Sequence, residues 1–170
     1  LGLIKPDGGR IELNGIDVTR LPTYRRAQLG LGYLPQESSV YRGLNVEKNI
    51  SVPLEIAEPD PVARAERLER ILAEFDLDRL RLRKPSSLSG GERRRVEVAR
   101  ALASEPDIIL LDEPFAGIDP MSIAEIKRMI RQLKERGVGV LITDYDVHDV
   151  VELTDRIYVI QDGSVIFSGT

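Results

Sequence analysis

Cysteine is missing from the sequence altogether, which excludes a disulfide framework and any thiolate-ligated metal and agrees with a reducing compartment. Histidine occurs once, as His148. No apolar run approaches the length that spans a bilayer, and the first residues lack the pattern of a signal peptide. Membrane association would therefore have to run through a partner. Nor is there an excess of basic charge: 24 Lys and Arg stand against 28 Asp and Glu, for a net charge of −4, with the two signs interspersed. That balance disfavours nucleic acid as a ligand. Internal repeats, low-complexity segments and sustained heptads are absent as well.

What is present is the composition of an ordinary globular protein, 42% hydrophobic and 31% charged over 170 residues. This is enough for one domain with a real core, or for a domain and a small subdomain. Chemistry-bearing residues concentrate between Leu88 and Pro120, LSGGERRRVEVARALASEPDIILLDEPFAGIDP. Ser89-Gly90-Gly91-Glu92 opens a helix on which Val96, Ala99, Leu102 and Ala103 recur at helical spacing. Free backbone N–H groups and a positive dipole end thus lie behind paired glycines, where an anion fits. Ser89 and Glu92 also satisfy a capping box, which needs no ligand. Ile108-Ile109-Leu110-Leu111 is an unalternating apolar run, as expected of a strand buried on both faces, and it ends in Asp112-Glu113-Pro114. Adjacent acids there are costly unless paired or metal-bound. Asp119-Pro120 forms an N-cap followed by proline at the first helical position.

The remaining chain reads as α/β. Residues 1–4 look like the tail of a helix ended by Pro6 and Asp7-Gly8-Gly9. Residues 10–13 and 16–19 flank Asn14-Gly15, a strong hairpin signal. Thr23 is expected to cap a short helix ending near Gly30, and residues 31–34 to form a strand with Gln36 just beyond it. From Glu37 to about Pro106 helices dominate. Asp60-Pro61 opens one with Leu68, Ile71, Leu72 and Phe75 along a face, and Glu66 four residues before Arg70 on another. The basic residues at 79–84 and 93–95 read as a solvated, ion-paired surface, with a docking patch as the alternative. A helix from Asp119-Pro120 to Gly137 carries Ile123, Ile126, Ile130 and Leu133; residues 138–143 follow as a continuous apolar strand. Asp146 caps a short helix with Val147, Val150 and Val151, and Asp162-Gly163 turns a second hairpin. Alternating strands and helices predict a mostly parallel sheet.

In this order, LSGGERRRVEVARAL and IILLDEPFAGIDP closely resemble the signature motif, Walker B and D-loop of ATP-binding-cassette ATPases, and Gly32-Tyr33-Leu34-Pro35-Gln36-Glu37 resembles the family's Q-loop. The resemblance covers essentially all 170 residues and is strongest to the lipopolysaccharide-export branch. It implies a P-loop NTPase-type, mostly parallel sheet with an inserted helical subdomain. Residues 1–36 and 107–170 would be a partial nucleotide-binding α/β core, and 37–106 the helical subdomain that carries the signature motif and meets the membrane subunit. It further implies ATP and Mg²⁺ as cofactors, a second ATPase subunit bound head to tail, transmembrane transporter subunits as partners, and a place in the cytoplasm on the inner face of the cell membrane.

Hydrolysis of a nucleotide γ-phosphate needs neutralised phosphate oxygens, a divalent cation and an oriented water. Asp112 suits Mg²⁺ through a coordinated water, because magnesium dehydrates reluctantly. Glu113 is the expected general base or water-orienting group, and the amide of Gln36 can touch both metal and water. By the resemblance, Ser89, Gly90 and Gly91, with Glu92, hold the γ-phosphate of a nucleotide bound chiefly by the second subunit, and Asp119 lies across the same interface.

Two features depart from the family. No G-x-x-x-x-G-K-[ST] loop occurs, and no glycine is followed by lysine. The family places that loop just upstream of residues 1–4, and the first residue is Leu1 rather than methionine. N-terminal truncation is therefore expected, with an open strand edge and uncovered apolar surface as its consequence. Within Leu141-Ile142-Thr143-Asp144-Tyr145-Asp146, Tyr145 stands where the family usually has a switch histidine. Its phenol can donate to a phosphate oxygen but carries no positive charge at neutral pH. Lipopolysaccharide export is the first expectation for cargo. The alternatives are a branched-chain amino-acid-type uptake ATPase, a relative acting on ribosomes or chromosomes, and a non-catalytic assembly module.

Overall fold

The computed structural model describes residues 1–170. The chain opens on a short ribbon, β1 (Glu12–Leu13) and β2 (Ile16–Asp17), turned by Asn14 at φ 49° and Gly15 at φ 77°. These are the two left-handed residues that a type I′ turn requires. A short helix, α1 (Thr23–Gln28), leads into the first strand of the main sheet, β3 (Leu31–Leu34). Three helices follow before the chain returns to that sheet: α2 (Val46–Ala57), α3 (Pro61–Glu74) and α4 (Gly90–Leu102). The next strand, β4 (Ile108–Asp112), is connected by α5 (Pro120–Glu135) to β5 (Gly139–Thr143). The main sheet is parallel, in the order β3-β4-β5. Parallel neighbours need long crossovers, which the helices supply.

Helix boundaries follow the local chemistry. The Asp60 side chain accepts the Ala63 N–H at the start of α3, with Pro61 at the first helical position. Asp119 accepts the N–H groups of Met121 and Ser122 at the start of α5, and the chain leaves that helix through Gly137 at φ 80°. Val46, Ile50 and Leu54 of α2, Leu72 of α3, Val96 and Ala99 of α4, and Ile126 and Ile130 of α5 share one apolar cluster with Leu34, Ile109 and Leu111 of the sheet. Full burial of such side chains contributes roughly 1.5–3 kcal/mol each. Leu72, with no exposed surface, would cost about 2–5 kcal/mol if cut to alanine.

Several expectations are corrected. Residues 1–4 form no helix; so short a segment closes too few hydrogen bonds to offset nucleation. Thr23 is the first helical residue, and the cap is Pro22, without a side-chain bond. Glu66 and Arg70 form no ion pair, while neighbouring Arg67 bonds Glu105 at 3.0 Å. The basic residues divide: Arg81 is ion-paired to Glu47 and Glu69, but Arg94 is buried against Glu97. On β4 only the Ile109 and Leu111 face is fully buried, and Leu110 and Asp112 opposite are half-covered.

That more open face continues across β5, where Leu141 is 52% exposed and the far edge pairs with no strand. After α6 (Val147–Val151), β6 (Ile157–Gln161) and β7 (Ser164–Gly169) pair only with each other. Their Tyr158, Ile160, Val165 and Phe167 are exposed. The far edge of β5 and the β6-β7 hairpin thus leave backbone groups unpaired and apolar side chains uncovered. No helix is long and apolar enough to cross a membrane.

Candidate functional site

The strand ends of a parallel sheet are where ligand chemistry collects, and the carboxyl ends of β3, β4 and β5 hold a polar cluster. Side chains alternate across a strand, so Tyr33, Leu110 and Asp112 share the more open face with Leu141 and Thr143. Asp112 pairs with Thr143 in register. The Thr143 hydroxyl donates to Asp112 Oδ1 at 2.6 Å, and the Tyr33 hydroxyl donates to Oδ2 at 3.2 Å. Both carboxylate oxygens are thereby oriented. Burial, and then the negative charge and hydrogen bond of Asp112, raise the Tyr33 phenol above its ordinary value of 10.0.

Immediately after the strand the backbone turns sharply: Glu113 has φ 42°, a left-handed conformation that costs a non-glycine residue on the order of 1–3 kcal/mol. Its N–H donates to the Thr143 carbonyl at 2.8 Å, and its carbonyl accepts the Ala116 N–H at 3.2 Å. The Glu113 carboxylate meets Gln36 from the loop beyond β3, whose Nε2 donates to Oε2 at 2.5 Å. Gln36, Asp112 and Glu113 are therefore brought together. Tyr145 is not among them: its side chain is 77% exposed and bonds to none of the three. His148 is exposed, and its backbone N–H is capped by Asp146.

The start of α4 forms a second polar region. Glu92 N–H donates to Ser89 Oγ at 3.2 Å, and Ser89 N–H donates to Glu92 Oε2 at 2.7 Å. This capping box turns the Glu92 carboxylate back on its own helix, and the Ser89 N–H is the main cause that holds it below its ordinary value of 4.5. Ser89 and Gly90 are exposed, whereas Gly91 is buried. Asp119 is held below the usual carboxylate range, chiefly by the Ser122 hydroxyl and then by the Ser122 N–H.

Arg94 and Glu97 join this helix to the Gln36 loop. Arg94 Nη1 donates to the Pro35 carbonyl at 3.0 Å and to Glu97 Oε2 at 3.1 Å. Glu97 Oε1 accepts the Ser38 hydroxyl at 2.6 Å and the Ser39 N–H at 3.1 Å. Sequence reasoning did not single out Tyr33, Thr143 or Glu97. For the first two the available sign was a hydroxyl at the end of an apolar strand. Glu97 stands one residue from Val96, on the apolar stripe of α4.

No group of three or more His, Cys, Asp and Glu side chains is arranged to hold a metal, so the chain does not itself cage a cation. Magnesium ordinarily takes one or two carboxylates together with waters and substrate phosphates. An oriented Asp112 beside Glu113 and the Gln36 amide fits that requirement.

The sequence profile of the ABC transporter family matches residues 1–116. A probable ABC transporter ATP-binding protein of Azorhizobium caulinodans is 56% identical over 168 residues, covering 99% of this chain and 60% of the relative. The lipopolysaccharide export system ATP-binding protein LptB of Acidithiobacillus ferridurans is 53% identical, covering 100% of this chain and 70% of the relative. Among solved structures, the dimeric, post-hydrolysis ATP-binding cassette MJ0796 bound to ADP and Pi superposes with a TM-score of 0.84 at 27% identity, over 98% of this chain and 75% of that one. The chain thus spans 60% to 70% of the length of these two relatives.

Proposed function

The chain belongs to the ABC transporter family, and from that premise we propose that the full-length protein binds and hydrolyses Mg-ATP to drive transport, with lipopolysaccharide as the cargo. The observation that carries the catalytic part is the Gln36–Glu113 hydrogen bond beside the oriented Asp112 carboxylate. Glu113 accepts the proton of the attacking water, and Gln36 fixes the direction of the Glu113 carboxylate. Asp112 and Gln36 would hold magnesium with waters, and the ion would supply charge neutralisation at the phosphate oxygens. Tyr145, exposed in the single chain, donates a hydrogen bond to phosphate in the assembled site.

In this reading two subunits face each other head to tail. Ser89 and Gly90, at the exposed start of α4, offer backbone N–H groups to the γ-phosphate held by the partner, with Gly91, Glu92 and Asp119 behind them. Likeness to a cassette solved as a dimer supports this arrangement. Residues 37–106 act as the helical subdomain that faces the membrane subunits at the cytoplasmic surface, and 1–36 with 107–170 act as part of the nucleotide-binding core. The cargo is supported by 53% identity to a lipopolysaccharide export ATPase.

The test is ATP turnover by the full-length protein, purified with its membrane subunits and reconstituted in vesicles, with lipopolysaccharide or with branched-chain amino acids. Stimulation by lipopolysaccharide alone supports the cargo. Stimulation by the amino acids instead replaces it, and no turnover under any condition overturns the ATPase reading.

A further inference from the structure

Gly91 and Ser122 meet where the first turns of α4 and α5 approach. A β-carbon on Gly91 would collide with Ser122 Oγ and stand 3.0 Å from Ser122 Cβ, which is closer than packed atoms tolerate. Ser122 cannot swing aside without loss. Its hydroxyl donates to Asp119 Oδ2 at 2.6 Å, while Asp119 Oδ1 accepts the N–H groups of Met121 and Ser122, each at 3.1 Å. Gly90, one residue earlier, has open space where its β-carbon would lie. The neighbouring glycines therefore differ in what they face: Gly90 faces outward, and Gly91 faces α5.

We propose that Gly91 and Ser122 form a packing lock that holds the start of α4 against the start of α5, and that Ser122 is a positioning residue for Asp119 and for the Ser89-Gly90 turn. The lock makes these two segments one body, so that whatever moves the start of α4 carries Asp119 with it. A β-carbon at position 91 displaces the Ser122 hydroxyl, which takes away the bond to Asp119 Oδ2, leaves the carboxylate held only by the backbone N–H groups on Oδ1, and separates the two helix starts. The packing rests on the contact alone; its consequence for turnover rests on the function proposed above.

The sign of the effect isolates the contact. Alanine is the better helix former and glycine loses more freedom on folding, so without Ser122 the change Gly91→Ala would stabilise. The experiment compares thermal unfolding and ATP turnover of the full-length protein as wild type, Gly91→Ala, Ser122→Gly, the double variant and Gly90→Ala. Gly91→Ala is expected to lower Tm by roughly 2–8 °C, while Gly90→Ala leaves Tm unchanged or raised. Adding Ser122→Gly is expected to restore Tm, a non-additivity that residues in contact show. Turnover per folded molecule, read well below Tm, is expected to fall about 10- to 100-fold in Gly91→Ala, to fall likewise in Ser122→Gly, which also removes the hydroxyl from Asp119, and to fall no further in the double variant. A Gly91→Ala protein as stable as wild type, or a double variant no more stable than Gly91→Ala, overturns the lock. An unchanged kcat in Gly91→Ala despite a lowered Tm overturns the positioning role. A wild-type protein without turnover overturns the ATPase reading, and the unfolding data still decide the lock.

Discussion

The Glu97 carboxylate, on the buried side of α4, accepts a hydrogen bond from the Ser38 hydroxyl at 2.6 Å although the two residues are 59 positions apart. With the Ser39 N–H and Arg94 on its remaining lone pairs, this bond fixes the loop that carries Gln36 to the helix that begins at Ser89 and Gly90. Glu97 and Arg94 are 3% and 6% exposed, so neither charge can be left alone at small cost.

Removing one member of this pair is therefore expected to destabilise strongly. Glu97→Ala should cost about 3–5 kcal/mol, because it strands the Arg94 charge, whereas replacing both residues by apolar ones of similar volume should cost much less. Urea unfolding of the single and double variants measures the difference. Equal losses in both would mean that the buried charge is not what the pair resolves.

Stability at alkaline pH should depend on Tyr33. Its folded-state pKa is raised by burial and by Asp112, so the folded chain keeps the phenolic proton where the unfolded chain loses it. The contribution is intact below the ordinary value of 10.0 and is lost as pH rises past it toward the folded value. Urea midpoints at about pH 9 and about pH 11 should fall further in wild type than in Tyr33→Phe. A parallel fall in both would show that Tyr33 is not the group responsible.

Glu92 should act at the opposite end of the scale. Its folded-state pKa is depressed below 4.5, first by the Ser89 N–H. Its contribution is therefore present above 4.5 and is lost as pH falls through the folded value. Glu92→Gln keeps a capping acceptor but not the charge. Its thermal stability should accordingly vary less than that of wild type below about pH 5; an identical acid profile would remove the capping carboxylate from the account.

Much of this architecture was legible in local chemistry. Asn14-Gly15, Asp60-Pro61, Ser89 with Glu92, and Asp119-Pro120 each set a backbone conformation or satisfy a free N–H within a few residues, and each lies where the sequence places it. The three short apolar runs likewise became the parallel strands. What stayed hidden depended on distant pairings. The Tyr33 and Thr143 hydroxyls matter only because register sets them beside Asp112, and Arg94 looked like one of several surface charges until Pro35 and Glu97 enclosed it. Gly91 invited a ligand reading because glycine leaves no trace of its neighbour. Ser122 is revealed only when α4 and α5 come together.

The most direct test of the account is single-turnover ATP hydrolysis by the full-length protein, wild type against Glu113→Gln, with nucleotide binding measured alongside. If Glu113 is the base that Gln36 orients, the variant should bind Mg-ATP as wild type does while its hydrolysis rate falls on the order of 10²- to 10⁴-fold. Hydrolysis at the wild-type rate in Glu113→Gln would contradict the assignment and leave the strand-end carboxylates without their proposed role.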